Sequence, residues 1–197
     1  MSAEGVCGLI LAGGQGRRMG GVDKGLQLLR DRPMVEWVIE RLKPQVENLL
    51  LNANQHLDDY GRYGLRVVSD EVREDGGAGP LAGLHAGLGQ CSLPLLVTAP
   101  CDSPHLPSDL VSRLKDALLA GDCQLAVART GTQTHPVFSI LRRDLRDHLG
   151  AYLAGGGRKI DAWYASLKVV EVAFDDQVEA FSNINTRDEL QRHEAAR

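Results

Sequence analysis

Short apolar runs alternate with helix-like stretches along most of this chain, and that alternation constrains its fold more than any other feature. Strand-length runs are expected at Val6–Ala12, Asn48–Ala53, Leu65–Ser69, Pro94–Ala99, Gln124–Ala128, Val137–Leu141 and Lys168–Ala173. Between them Pro33–Leu42 has a helical period, with Pro33 at a first-turn position and Met34, Trp37, Val38 and Leu42 sharing one face. Leu81–Gly89 and Pro107–Ala120 read the same way; Pro107-Ser108-Asp109 supplies start signals for the second and Gly121 a stop. Strands separated by helices predict a mostly parallel sheet covered on both faces, a three-layer α/β sandwich. From about Thr130 the alternation weakens. There His135–Leu141 fits an antiparallel strand, and Gly155-Gly156-Gly157 interrupts two helical pieces. With no internal repeat, linker or low-complexity tail, residues 1–197 are expected to form a single domain.

Ligands of such sheets bind outside the carboxyl ends of the strands. The loops after the first four runs carry Gly13–Lys24, Asn52–Asn54, Asp70 and Cys101-Asp102. The first loop holds five glycines, two arginines and a lysine directly after an apolar strand. Glycine lets backbone N–H groups crowd around anionic oxygens, and arginine and lysine add charge that does not depend on backbone geometry. The loop therefore reads as a phosphate cradle. It is neither of the two common phosphate fingerprints, since it lacks the Gly-Lys-Ser/Thr end of a P-loop and its glycines do not fit Gly-x-Gly-x-x-Gly.

Leu11-Ala12-Gly13-Gly14, followed by Arg18-Met19-Gly20-Gly21-Val22-Asp23-Lys24-Gly25, resembles the opening of the pyrophosphorylase-like nucleotidyltransferases, and most closely the molybdenum cofactor guanylyltransferase family. The resemblance continues through Leu51-Asn52-Ala53-Asn54, Gly79-Pro80-Leu81-Ala82-Gly83, Pro100-Cys101-Asp102-Ser103-Pro104, His135-Pro136 and Phe181-Ser182-Asn183-Ile184-Asn185-Thr186, in the family's order. It implies a Rossmann-like fold of the nucleotide-diphospho-sugar-transferase type. The N-terminal part would bind nucleotide, and residues from about 130 to 197 would form the acceptor side.

The resemblance also assigns roles. Backbone groups of Leu11, Ala12 and Gly13 would line the base and sugar end of GTP, and Gly14 would also contact the nucleotide. Arg18 would pair with the β and γ phosphates, and Lys24 would sit near the α-phosphorus, where negative charge builds during displacement. Arg17 is either a further phosphate contact or a solvated neighbour. Asp102, flanked by prolines at the end of an apolar run, is suited to Mg²⁺, which prefers hard oxygen donors; the structural alternative is a cap for the helix starting near Pro107. Asp70 could accept the guanine N1–H and N2–H donors, bind ribose hydroxyls, or be a plain loop acid. Asn52 and the backbone of Gly79–Gly83, Gly79, Pro80 and Leu81 foremost, could complete the base edge; the alternative for Asn52 is a turn asparagine. Glycine at position 13, where cytidylyltransferase relatives carry alanine, leaves room for a purine. Arg158 and Lys159 could bind the molybdopterin phosphate or be solvated; Asn183 and Asn185 could add an oxygen near the metal or cap the last helix.

Bulk properties narrow the alternatives. A formal charge of −4 gives no basic excess to attract nucleic acid or anionic membranes. No segment approaches the ~20 apolar residues of a membrane span, and the N-terminus lacks the basic flank and apolar length of a signal peptide, so a cytoplasmic protein is expected. The four cysteines show no metal-ligand spacing and read as reduced thiols. The expected activity is transfer of GMP from GTP to the phosphate of molybdenum-molybdopterin, with release of pyrophosphate, by a Mg²⁺-dependent monomer. Cofactor-insertion proteins or apo-molybdoenzymes are the expected recipients. A relative using CTP or another phosphate acceptor, and a non-catalytic GTP-binding adaptor that delivers finished cofactor, are the two alternatives.

Overall fold

The computed structural model describes residues 4–12, 23–70 and 79–182. In chain order they form β1 (Val6–Leu11), a hairpin of β2 (Leu28–Leu29) and β3 (Arg32–Pro33), α1 (Met34–Leu42), β4 (Asn48–Asn52), α2 (Leu57–Gly61), β5 (Arg66–Val68), α3 (Pro80–Gln90), β6 (Leu95–Pro100), α4 (Leu110–Ala120), β7 (Leu125–Thr130), β8 (Gln133–Arg142), α5 (Arg146–Ala154), α6 (Ile160–Tyr164) and β9 (Val169–Ala173). Among the described residues one seven-stranded sheet has the order β5-β4-β1-β6-β8-β7-β9. β1 pairs in parallel with β4 and β6, β4 with β5, and β7 with β9, whereas β8 runs against both β6 and β7. The expected mostly parallel α/β sandwich with an antiparallel strand is what the chain adopts.

The period of two along β1 splits its side chains between two cores. Val6 and Ile10 join Val35, Val38 and Leu42 of α1 and Leu110, Leu114 and Leu118 of α4 on one face. Cys7 and Leu9 join Leu81, Leu84 and Leu88 of α3 and Leu149 and Leu153 of α5 on the other. Leu9 and Ile10 are 0% exposed, so each contributes the roughly 1.5–3 kcal/mol that full burial of such a side chain brings. A central strand filled on both faces leaves its carboxyl end as the place where polar groups can gather. Cys7, Cys91, Cys101 and Cys123 are free thiols, in keeping with the reading of reduced cysteines.

The structure departs from the expected elements in four places. The β2–β3 hairpin turns through Arg30 and Asp31, whose φ angles of 52° and 60° form a left-handed turn without the Asn-Gly or Asp-Gly pair that would announce it. α2 is a short helix with no long apolar period to reveal it. α4 starts at Leu110 rather than near Pro107. The carboxylate of Asp109 makes no cap there but receives bonds from Arg113 (3.4 Å) and Gln177 (3.0 Å). β8 extends back to Gln133, because a register shift at Val127/Ala128 lets β7 keep pairing beyond its irregular stretch. Among the described residues no helix is long and apolar enough to cross a membrane.

Candidate active site

Parallel pairing aligns the carboxyl ends of β1, β4, β5 and β6, so the residues just beyond Leu11, Asn52, Val68 and Pro100 share one edge of the sheet. Backbone bonds continue past the strand ends and hold those loops in register. Ala12 N–H donates to the Asn52 carbonyl (2.8 Å), Ala53 N–H to Val68 (3.0 Å) and Cys101 N–H to Leu11 (3.2 Å). Leu11 and Ala12 thus stand between Asn52 and Cys101, at the middle of the edge.

Lys24 and Asp102, far apart in sequence, meet here: Lys24 Nζ lies 3.1 Å from Asp102 Oδ2. Asp102 is only 6% exposed, so its carboxylate needs a cationic or hydrogen-bonding partner, which the ammonium provides. The contact also settles the alternative of a helix cap. Asp102 faces Lys24, and α4 begins well beyond it at Leu110. Beside them burial pushes the Cys101 thiol well up, with Asp102 and Asp23 adding to the shift, so the sulfur stays protonated.

The second group centres on Asp70. Asn52 Nδ2 donates to Asp70 Oδ1 (2.8 Å) and to the Val68 carbonyl (3.0 Å). Asn54 Nδ2 donates to Asp70 Oδ2 (2.9 Å), and Asp70 N–H returns a bond to Asn54 Oδ1 (2.8 Å). Each carboxylate oxygen is held by one amide and keeps further acceptor capacity for a ligand. Asn52 is buried and packed against α3. A Cβ added to Gly83 would come within 2.2 Å of Asn52 Oδ1, so only glycine permits this approach. Gly79, with φ 60° and ψ −146°, leads into that helix in a conformation open mainly to glycine. Leu81 is fully buried, so its contribution to a base edge would come from its main chain, whereas Pro80 is exposed and has no N–H to donate. Gly83→Ala is expected to displace the Asn52 amide and with it Asp70. The predicted outcome is a rise of about tenfold in the KM for nucleotide with a smaller change in kcat, read from initial rates.

The acceptor-side residues are placed differently. The Arg158 guanidinium donates to the carbonyls of Leu153 (2.9 Å) and Gly157 (2.7 Å), closing the end of α5. Lys159 is exposed, and its carbonyl accepts the Tyr152 hydroxyl (3.0 Å). His135 stacks on Phe181 with ring centroids 4.8 Å apart and bonds Thr130 Oγ1 through Nε2 (2.7 Å); burial pushes its pKa down. Gly13, Gly14, Arg17, Arg18, Asn183 and Asn185 lie outside the described residues.

Sequence reasoning did not assign Asn54 or the pair Asp23–Tyr60. The spacing of Asn52 and Asn54, two residues apart on a strand exit, was a signal for the first. Nothing in the sequence joins Tyr60 to Asp23, because that contact exists only after α2 packs against the loop. For Mg²⁺, the donor chemistry fits. Asp102 offers a hard carboxylate oxygen, the donor type Mg²⁺ prefers. Among the described residues no group of three His, Cys, Asp or Glu could hold a metal unaided, so a bound triphosphate would have to supply further oxygens.

Parallel strands ending in a lysine–aspartate pair and an amide-braced acid define an α/β protein with its ligand site at the strand ends. The model of the MobA-like NTP transferase domain matches residues 8–169. A molybdenum cofactor guanylyltransferase of Cupriavidus taiwanensis is 52% identical over 200 residues, covering 99% of each chain. One of Shewanella putrefaciens is 47% identical over 184 residues, covering 93% of each. Among solved structures, molybdopterin-guanine dinucleotide biosynthesis protein A of Archaeoglobus fulgidus superposes with a TM-score of 0.79 at 27% identity, covering 95% of this chain and 96% of that one. A 4-diphosphocytidyl-2C-methyl-D-erythritol synthase of Anaerococcus prevotii shares the fold, with a TM-score of 0.74 at 12% identity over 98% of this chain and 95% of that one. The chain belongs to the MobA-like NTP transferase family and is a nucleotidyltransferase.

Proposed function

We propose that this chain transfers GMP from GTP to the terminal phosphate of molybdenum-molybdopterin, releasing pyrophosphate and forming the guanine dinucleotide cofactor. The observation that carries the reading is the 3.1 Å pairing of Lys24 with Asp102 at the carboxyl edge, where a triphosphate would lie. The names of relatives covering nearly the whole chain supply the substrates. We further assign the chain to the cytoplasm, as a single-domain monomer that hands its product to an insertion protein or apo-enzyme.

In this scheme the acceptor phosphate attacks the α-phosphorus in line with the departing pyrophosphate. A phosphate monoester is already largely ionised near neutral pH, so the site needs no strong general base. Lys24 neutralises charge that grows on the α-phosphoryl oxygens, and Arg18 holds the leaving pyrophosphate. Asp102 would hold Mg²⁺, which when bound supplies charge neutralisation across the phosphates. Asp70, braced by Asn52 and Asn54, orients the base or ribose, while Leu11, Ala12 and Gly13 line that end and Gly14 contacts the nucleotide. Arg158 and Lys159 with Asn183 and Asn185 complete the acceptor side; for Arg158 this would act alongside its bonds to the end of α5.

The test is turnover with purified protein, Mg²⁺, molybdenum-molybdopterin and either GTP or CTP, followed by pyrophosphate release and dinucleotide formation. GTP is expected to react at least about tenfold faster than CTP, the discrimination a hydrogen-bonding base pocket provides. Equal rates would reassign the donor to the cytidylyltransferase relatives. GTP binding without pyrophosphate release would favour the delivery adaptor.

A further inference from the structure

Lys24 lies in a loop, yet its ammonium must stand at a fixed place to act on a phosphoryl group. On its C-terminal side the loop is tied to the start of α1: Val35 N–H donates to the Gly25 carbonyl (2.9 Å) and Met34 N–H to Gln27 (2.8 Å). At Lys24 itself the backbone carbonyl accepts the Gln27 N–H (3.2 Å), and a side chain adds a second fastening. Asp23 Oδ1 accepts the Gly25 N–H at 3.0 Å, a bond that spans Lys24 and closes a tight turn about it. The same oxygen accepts the Tyr60 hydroxyl at 2.5 Å, a short charge-assisted bond. Tyr60 is 0% exposed in α2, and burial pushes its hydroxyl up, so it remains the proton donor.

Gly25 shows how tight this arrangement is. A Cβ there would stand 2.5 Å from the Tyr60 hydroxyl and 3.2 Å from Cys101 Cβ and Sγ. The backbone beside Lys24 is therefore gripped between Tyr60 and Cys101, the residue that precedes Asp102. Through this stack α2 is coupled to the lysine on one side and to the end of β6 on the other.

We propose that Tyr60 and Asp23 are positioning residues for guanylyl transfer: the Tyr60 hydroxyl, through Asp23, fixes the turn that holds the Lys24 ammonium against Asp102 and the reacting phosphate. This rests on the reading of Lys24 as the charge-neutralising group. A loosened turn would leave GTP bound but the ammonium misplaced, so the loss falls on kcat rather than KM.

The experiment combines single variants with a double-mutant cycle, read by initial rates and thermal unfolding. Tyr60→Phe keeps the ring and removes only the hydroxyl; it is expected to lower kcat about tenfold while the KM for GTP changes less than about threefold. Asp23→Asn retains an acceptor oxygen for both bonds and should stay within about threefold of the wild-type kcat, whereas Asp23→Ala should match Tyr60→Phe. In a Lys24→Ala background Tyr60→Phe should cost no further activity, because the group it positions is gone. A Tyr60→Phe enzyme with unchanged kcat, even with a lowered Tm, would assign the hydroxyl to folding alone and overturn the proposal. Equal losses with and without Lys24 would overturn it too. If Lys24→Ala itself left the rate intact, the underlying role of Lys24 would fall first, and the proposal with it.

Discussion

Asp102→Asn is expected to lower the rate of guanylyl transfer about 100-fold and to raise the Mg²⁺ concentration needed for half-maximal activity, with little change in thermal stability. Removing one preorganised electrostatic contact from a transition state commonly costs 10²–10³ in rate, and in the proposed scheme that contact is the one Asp102 would make with Mg²⁺. Stability should move by no more than about 1 kcal/mol. Asparagine has nearly the same shape, and losing a carboxylate that is 6% exposed also removes the cost of keeping it away from water. Activity titrated against Mg²⁺, beside a thermal melt, checks both parts. A variant with the wild-type metal requirement would remove Asp102 from the metal site.

Lys24→Ala should lower turnover by a similar factor but behave differently in unfolding. Asp102 then keeps a buried charge without its ammonium partner, a loss expected to cost about 1–3 kcal/mol, toward the lower end because the Lys24 side chain is 29% exposed. The double variant Lys24→Met with Asp102→Asn should recover most of that stability and none of the rate. Urea titration of the three variants with matched kinetics tests the pattern. Equal stability of Lys24→Ala and wild type would mean that the Asp102 charge is compensated from elsewhere.

Much of the fold could be read directly because the physical signals were local. The strand expected at Val6–Ala12 forms as Val6–Leu11 and the helix expected at Pro33–Leu42 as Met34–Leu42, each dictated by its own apolar period. The Arg30-Asp31 turn was missed because left-handed backbone at two side-chain-bearing residues is a solution only the surrounding packing imposes. The site divides in the same manner. Lys24, Asn52, Asp70 and Asp102 lie in loops after apolar runs, but it was the family resemblance that singled them out, and the structure brings Lys24 to Asp102 and Asn52 to Asp70. Tyr60 sits in a short helix and reaches Asp23 across 37 positions, a contact without local signature. Arg158 beside glycines read as either a phosphate ligand or a solvated charge; its bonds to Leu153 and Gly157 depend on how α5 ends, which three glycines in sequence did not specify.

The reversal of β8 has a structural consequence for the rim of this enzyme. Because β8 opposes both β6 and β7, the turn at Gly131 that joins β7 to β8 emerges on the same side of the sheet as Asp102. Extra residues spliced into that turn would build outward as a parapet over the opening while every rung of the ladder below kept its neighbour. The scaffold therefore has a place where what enters can be resized without rewriting the chemistry beneath.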